Sequence, residues 1–409
     1  MLKRVTLENF FSFGASTTIA LNPDVNILVG INGSGKSNFL KAIRLLHEAV
    51  AGQGFEKTFL QEWGGFANVA NVCGGKKDYI KLSYVFSFNV LEYQGEKEED
   101  WTNDRYDSTY EIKIHRLGAT GYYFEERLIS KNGALAPSEF IAMHNNKGKL
   151  LLLLDAEAES GELIDYPNEK IPYSFSGSEL ILRQIDRNIN LYTALKDAIE
   201  KLSIYDYFST ASNSVIRQPS IFGTEEKLLP TGENLNSIIQ KLKNNHSLEY
   251  EKIEKLLGDI NPNFKDITFN LFGSKSYLLL REKNLANAIS IEHLSDGTLR
   301  YLLFLAIFYN PNRGKAICID EPETGLHPDM INTVSDSIKH ASKDTQLFIA
   351  THSPLLLNAF DLEDILIFEK DEKNQTKVLR KTEEDFAEWN DDYLVGQLWL
   401  NGQIGGKRW

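Results

Sequence analysis

Residues 26–40 constrain the fold more than any other stretch of the chain. Residues 27–29 are an apolar run, residues 30–37 follow the spacing G-x-x-x-x-G-K-S, and Phe39, Leu40, Ile43 and Leu46 recur at helical spacing. The pattern predicts a short buried strand, a glycine-rich turn and a helix opening near Lys36. The glycines let backbone N–H groups converge on an anion without Cβ obstruction. The helix N-terminus adds about half a positive charge at the same point. This spacing is the phosphate loop of nucleoside-triphosphate-binding proteins. Lys36 is placed to reach the β and γ phosphates, and Ser37 to put its hydroxyl on Mg²⁺. Asn32, Gly33, Ser34, Gly35 and Asn38 complete the candidate nucleotide contacts.

A chain of 409 residues, 42% hydrophobic and 25% charged, has material for a large buried core in one to three domains. The longest apolar runs, 150–154 and 301–309, fall far short of the ~20 residues of a spanning helix. No apolar h-region follows Met1, so neither a secretory signal nor a membrane association is expected. Only Cys73 and Cys318 could form a disulfide, which points to a cytoplasmic address rather than a disulfide framework. The net charge of −13 argues against a broadly basic nucleic-acid-binding surface. Part of that acidity sits in residues 92–107, which read as a solvated loop.

Along the chain, residues 2–8 and 16–21 read as strands around a turn at 9–14. A turn-rich stretch with Gly64, Gly65, Gly74 and Gly75 follows the first helix. Strands resume at 79–90, 109–116 and 121–130, the first showing alternation at Ile80, Leu82, Tyr84 and Phe86. Leu191, Ala194, Leu195, Ala198, Ile199 and Leu202 carry a helical period. Two further helices are expected at 233–243 and 248–257, with Thr231 and Ser247 as N-caps. Heptads are not sustained and no internal repeat is present. From about residue 276 strands and helices alternate again. Ser295 opens a nearly all-apolar helix, strand 315–319 leads to Asp320 and Glu321, Pro328 starts a helix, and strand 346–350 leads to Thr351, His352, Ser353 and Pro354.

Three predicted strand ends thus carry polar residues: the phosphate loop, Asp320 with Glu321, and His352. In an open parallel sheet, ligands bind outside the carboxyl ends of the strands. Asp320 is placed to hold Mg²⁺, through water or with Ser37, and Glu321 to orient and deprotonate an attacking water. Ser295 at a helix N-cap, followed by Gly297, offers a second anion site.

The phosphate loop, Leu294-Ser295-Asp296-Gly297-Thr298, the string Asp320-Glu321-Pro322-Glu323-Thr324-Gly325-Leu326-His327-Pro328, and then Thr351-His352-Ser353-Pro354 occur in this order. Together they resemble the ABC-type ATPases, and more narrowly the RecF/SMC/OLD-like branch of the AAA-type proteins. The opening Glu8-Asn9-Phe10-Phe11-Ser12-Phe13 is similar to that branch as well. The resemblance implies an α/β fold: a P-loop core of mixed sheet with flanking helices and antiparallel strands, carrying an inserted, partly helical lobe. The core would comprise residues 1–90 and 276–370, the β-rich then helical insert 91–275, and a C-terminal tail 371–409. The resemblance also implies a homodimer in which ATP on one phosphate loop is closed by Ser295 and Gly297 of the other copy. His352 would sense the γ-phosphate, and Gly325, Leu326 and His327 would cross the interface. Gln61, Asn68 and Asn71 are alternative candidates for the glutamine-loop residue.

The signature is not that of transporter ATPases, and no Asn-Lys-x-Asp guanine motif is present. Some relatives carry a TOPRIM nuclease after the core; residues 353–409 are too few for one, so no nuclease activity is expected. The tail 393–409 resembles those of stand-alone ATPases encoded beside effector nucleases in bacterial defence operons. The resulting expectation is a Mg²⁺-dependent switch ATPase that controls a separately encoded effector. A DNA-repair or chromosome-maintenance ATPase that clamps DNA directly is the alternative.

Overall fold

The computed structural model describes residues 1–73, 77–87, 107–118, 121–132, 135–142, 148–152, 164–165, 177–184, 190–221, 223–385 and 394–405. The glycine pair 74–75, residues 92–106 of the acidic loop, and residues 393 and 406–409 of the tail lie outside them. The chain divides into two compact units.

The first unit comprises residues 1–23, 30–202 and 367–379. It is built on an eight-stranded antiparallel sheet ordered Thr17–Ala20, Leu2–Glu8, Tyr79–Ser87, Asp107–Leu117, Gly121–Asn132, Leu135–Ala142, Gly148–Leu152 and Ile164–Asp165. Strands expected in the insert therefore continue the N-terminal sheet without a break. One face is apolar by alternation: Ile80, Leu82, Tyr84 and Phe86, then Tyr110, Ile112 and Ile114, are buried. Helix Lys36–Val50 buries Phe39, Leu40, Ile43 and Leu46, and Tyr84 on the sheet donates its hydroxyl to the Ala42 carbonyl at 2.7 Å. Asp107, assigned by sequence to the solvated loop, starts a strand instead. It is buried and paired with Lys3 at 3.0 Å. The charge partner comes from a strand over a hundred residues away, which local composition does not reveal.

The second unit comprises residues 24–29, 203–366 and 380–409. Its main sheet runs in the order Leu202–Tyr205, Ala316–Asp320, Gln346–Thr351, Val25–Val29. The last three are parallel, with Ile317 beside Leu347 and Ile349 beside Ile27. Their near-continuous burial is what a sheet covered on both faces requires. Helix Asp296–Phe308 is buried from Leu299 through Phe308, as its all-round apolar sequence demands. A smaller sheet orders Ser220–Ile221, Lys275–Glu282 and Phe264–Phe272. Helix Val395–Leu400 of the tail docks on helix Pro354–Leu357, with Gly396 N–H donating to Asn358 Oδ1 at 2.9 Å.

Three local expectations differ from the structure. Helix Asn190–Glu200 stops short of Leu202, which opens the next strand. The helix expected from 233 is Leu235–Asn245, capped by Asn234 rather than Thr231. Asn234 turns its side chain away to accept from Leu229 N–H at 2.9 Å. Ser247 is the first residue of helix Ser247–Ile260, with His246 at the cap position. Both cap assignments failed because cap residues also serve turns. Cys73 and Cys318 are free thiols, exposed and buried respectively.

Candidate functional site

Helix Lys36–Val50 begins at Lys36, with Gly35 at its N-cap in the left-handed region. Gly33 and Gly35 have φ of +78° and +116°, a conformation that only glycine adopts without strain. Gly35 also allows a close approach, since a Cβ there would collide with Thr376 Oγ1. Having no side chain, Gly35 offers no oxygen to the first-turn N–H groups of the helix. Those donors, together with the helix dipole, suit a phosphate. Lys36 is buried; its ammonium donates to the carbonyls of Gly30 at 2.8 Å and Ile31 at 3.4 Å, bracing the loop from inside. Ser34 is also buried, and its Oγ has no hydrogen-bond partner. Asn32, Gly33 and Ser37 are exposed. Asn38 donates to Ser12 Oγ at 2.8 Å.

The loop has a support that sequence inspection missed. Thr376, in a strand within the region read as tail, donates through Oγ1 to the Ser34 carbonyl at 2.6 Å. The same hydroxyl lies 2.7 Å from Ser12 Oγ, and Thr376 N–H donates to the Ser12 carbonyl at 2.8 Å. Among the three glutamine-loop candidates, Asn71 is committed to structure: its Nδ2 donates to the Phe11 carbonyl at 2.6 Å and its Oδ1 accepts from Cys73 N–H at 2.9 Å. Gln61 and Asn68 are exposed.

In the second unit three parallel strands end level with one another, Asp320 beside Ala350 and Thr351 beside Val29. The residues that follow these strands in the chain are Glu321, His352 and Gly30. Glu321 takes φ +50° and is anchored by its N–H donating to the Ala350 carbonyl at 2.8 Å. Its Oε1 lies 3.1 Å from His352 Nε2, and its Oε2 accepts from Thr324 Oγ1 at 3.2 Å. The side chains of His352 and Glu321 remain 32% and 45% exposed, so a carboxylate and an imidazole meet where a ligand has access.

Ser295 caps helix Asp296–Phe308, accepting from Thr298 N–H at 3.1 Å. A Cβ on Gly297 would lie 3.2 Å from the Gly325 carbonyl, so the signature turn and the Gly325 turn pack closely. Arg300 ties them further by donating to the Thr324 carbonyl at 2.6 Å. Arg217, 5% exposed, braces the approach to the signature. It donates to the carbonyls of Ile291, Glu292 and Leu294 at 3.1, 3.0 and 2.8 Å and pairs with Asp296 at 2.6 Å. No sequence motif marks Arg217. Its Nη1 and Nη2 reach groups more than seventy residues away, while its Nε donates to the nearby Thr210 carbonyl at 2.8 Å.

Across residues 25–126 and 176–358 the chain matches the family described as "AAA domain, putative AbiEii toxin, Type IV TA system". The chain belongs to this family. This AAA-domain protein is 21% identical over 401 residues to "Retron Ec83 probable ATPase" from Escherichia coli, covering 90% of this chain and 71% of that relative. It is 30% identical over 83 residues to "Uncharacterized protein MJECL43" from Methanocaldococcus jannaschii, a match spanning 20% of this chain and 21% of that relative. Among solved structures, an SMC head bound to the C-terminal winged-helix domain of ScpA aligns at TM-score 0.52 and 14% identity, covering 94% of this chain and 99% of the other. The AAA-domain protein thus has the ABC-type fold of an SMC head and is similar to a retron protein described as a probable ATPase. No helix among the described residues is long and apolar enough to cross a membrane.

Proposed function

We propose that the protein is a homodimeric, ATP-hydrolysing switch that regulates a separately encoded effector in bacterial anti-phage defence. The observation that supports it best is the level ending of three parallel strands, with Glu321 and His352 in contact at 3.1 Å. The family match and the retron relative favour the defence setting. Residues 1–90 and 276–370 would form the ATPase core, with the insert 91–275 and the tail 371–409 carrying regulation or the partner. ATP would lie against the backbone of Asn32, Gly33, Ser34 and Gly35, with Lys36 on its β and γ phosphates and Asn38 holding the loop. The candidate Mg²⁺ donors, the Ser37 hydroxyl and the Asp320 carboxylate, are hard oxygens, few enough to leave the ion most of its waters. Mg²⁺ would neutralise phosphate charge. Glu321 would orient the attacking water and accept its proton, and His352 would donate a hydrogen bond to the γ-phosphate. Ser295 and Gly297 of a second copy would close the site.

Glu321→Gln tests the chemistry. It should keep ATP binding and lower phosphate release by ~10²–10⁴-fold, the worth of a general base. Release equal to wild type would remove Glu321 from that role. The dimer is tested by mixing inactive Lys36→Ala and Ser295→Arg proteins, since one site of each mixed dimer carries neither lesion. Activity that never returns despite demonstrated subunit exchange would count against the shared site. Phage challenge of cells carrying the native locus, wild type against Lys36→Ala, tests the defence setting.

A further inference from the structure

Glu323 lies two residues beyond Glu321, on the turn leading to Gly325, and its carboxylate points back at the neighbouring strand end. Its Oε1 accepts three hydrogen bonds: from Thr351 Oγ1 at 2.7 Å, His352 N–H at 2.8 Å and Ser353 N–H at 3.1 Å. Thr351 Oγ1 also accepts from Ser353 N–H at 3.0 Å, closing the knot. Its other oxygen, Oε2, is buried and has no hydrogen-bond partner. One carboxylate oxygen therefore satisfies the two backbone N–H groups that flank the His352 side chain. A carboxylate accepting several N–H bonds is a strong, charge-assisted anchor.

Glu323 and Glu321 belong to one turn, in which Thr324 N–H donates to the Glu321 carbonyl and Leu326 N–H to the Glu323 carbonyl, both at 3.1 Å. Through Glu323 that turn grips the Thr351 hydroxyl and the backbone of residues 352 and 353, and through Glu321 it meets the His352 imidazole at 3.1 Å.

We infer that Glu323 is a positioning residue, which holds the backbone at His352 so that the imidazole stays registered against Glu321. This rests on the proposed roles of Glu321 and His352, and deepens them. A side chain that loses its backbone anchor is free to move by about 1 Å, and such misplacement costs up to ~10²-fold in rate. Because the anchor acts on geometry and not on the nucleotide, Glu323→Ala should lower kcat by roughly 10–100-fold and leave KM and ATP affinity nearly unchanged. Glu323→Gln keeps an oxygen acceptor at the same reach and should recover most of the rate.

The test combines a double-mutant cycle with hydrogen exchange. If Glu323 acts through His352, Glu323→Ala adds little to the rate loss of His352→Ala; additive losses would overturn the inference. Independently of any turnover, Glu323→Ala should speed amide exchange in residues 346–357, and Glu323→Gln should restore protection. Unchanged exchange in a folded Glu323→Ala protein would also overturn it. A wild-type rate in His352→Ala would instead break the proposed role of His352, while the exchange result would still decide whether Glu323 is the anchor.

Discussion

The phosphate loop and the signature turn both open a helix, and they do it with opposite chemistry. Helix Lys36–Val50 is capped by a glycine with no side-chain hydrogen bond, whereas helix Asp296–Phe308 is capped by Ser295 accepting from its own Thr298 N–H. The first has no side-chain oxygen at its cap position, whereas the second is closed by its own cap hydroxyl. The same contrast recurs in the left-handed residues. Gly33 and Gly35 reach positive φ without cost, while Glu321 holds φ +50° with a full side chain, tied down by its bonds to Ala350, His352 and Thr324. Backbone-built sites need glycine, and side-chain-built sites tolerate strain when neighbours over-determine it.

The largest effect that could break this contrast is at Gly35. Gly35→Val combines positive φ, costing ~1–2 kcal/mol, with overlap on Thr376 worth ~1–3 kcal/mol. ATP affinity, read by fluorescent-nucleotide titration, should fall by about 30-fold to several thousand-fold. Gly33→Ala faces the same positive φ but no atom within 4 Å, so it should lose only about 5- to 30-fold. Equal losses at the two positions would show that φ alone, and not the support from Thr376, shapes the loop.

An intermediate effect is expected at Glu126, where a carboxylate supplies what glycine cannot. It is 1% exposed and accepts from Tyr110 OH, from Ile181 N–H at 2.6 Å and from Leu182 N–H at 3.4 Å, holding the return of the chain at Ile181–Gln184. Burial outweighs these bonds and pushes its pKa from 4.5 up to about 7. The folded state therefore binds the proton more tightly than the unfolded one. Stability from this group is full below about pH 4.5 and falls as pH rises to about 7, by roughly 3 kcal/mol. Chemical denaturation between pH 5 and 8 should show that decline, and Glu126→Gln should flatten it. An unchanged slope in the variant would place the titration elsewhere.

The smallest effect separates the observed cap of Ser295 from its proposed place in a shared site. Ser295→Ala removes the cap and should cost ~1 kcal/mol of stability, while Ser295→Asp preserves capping and should cost little. Aspartate, however, puts negative charge where a γ-phosphate would approach in the shared site. Ser295→Asp should then retain its melting temperature yet lose turnover. Full turnover in that variant would reduce Ser295 to a helix cap.

Sequence was informative wherever one local stretch carries its own physical reason. The strand, turn and helix around Lys36 follow from glycine conformations and helical spacing, and the Asp296–Phe308 helix from its apolar surface and Ser295 cap. The strand carrying Asp320 and the short Ser353-capped helix were equally legible. Boundaries were less so: Thr231, Ser247 and Leu202 are residue types at home in more than one local structure, and packing chose between them.

What the sequence by itself determined is the set of chemical groups and the local turns that present them, because backbone sterics and hydrogen-bond donors act within a few residues. Only the tertiary structure decided which distant groups meet. Thr376 braces Ser34, Asp107 pairs with Lys3, Arg217 grips the segment before Ser295, and Glu323 holds His352. None of these partners is fixed by spacing along the chain. Each is chosen by strand register and by the requirement that buried polar groups find hydrogen bonds, which only the assembled fold can satisfy.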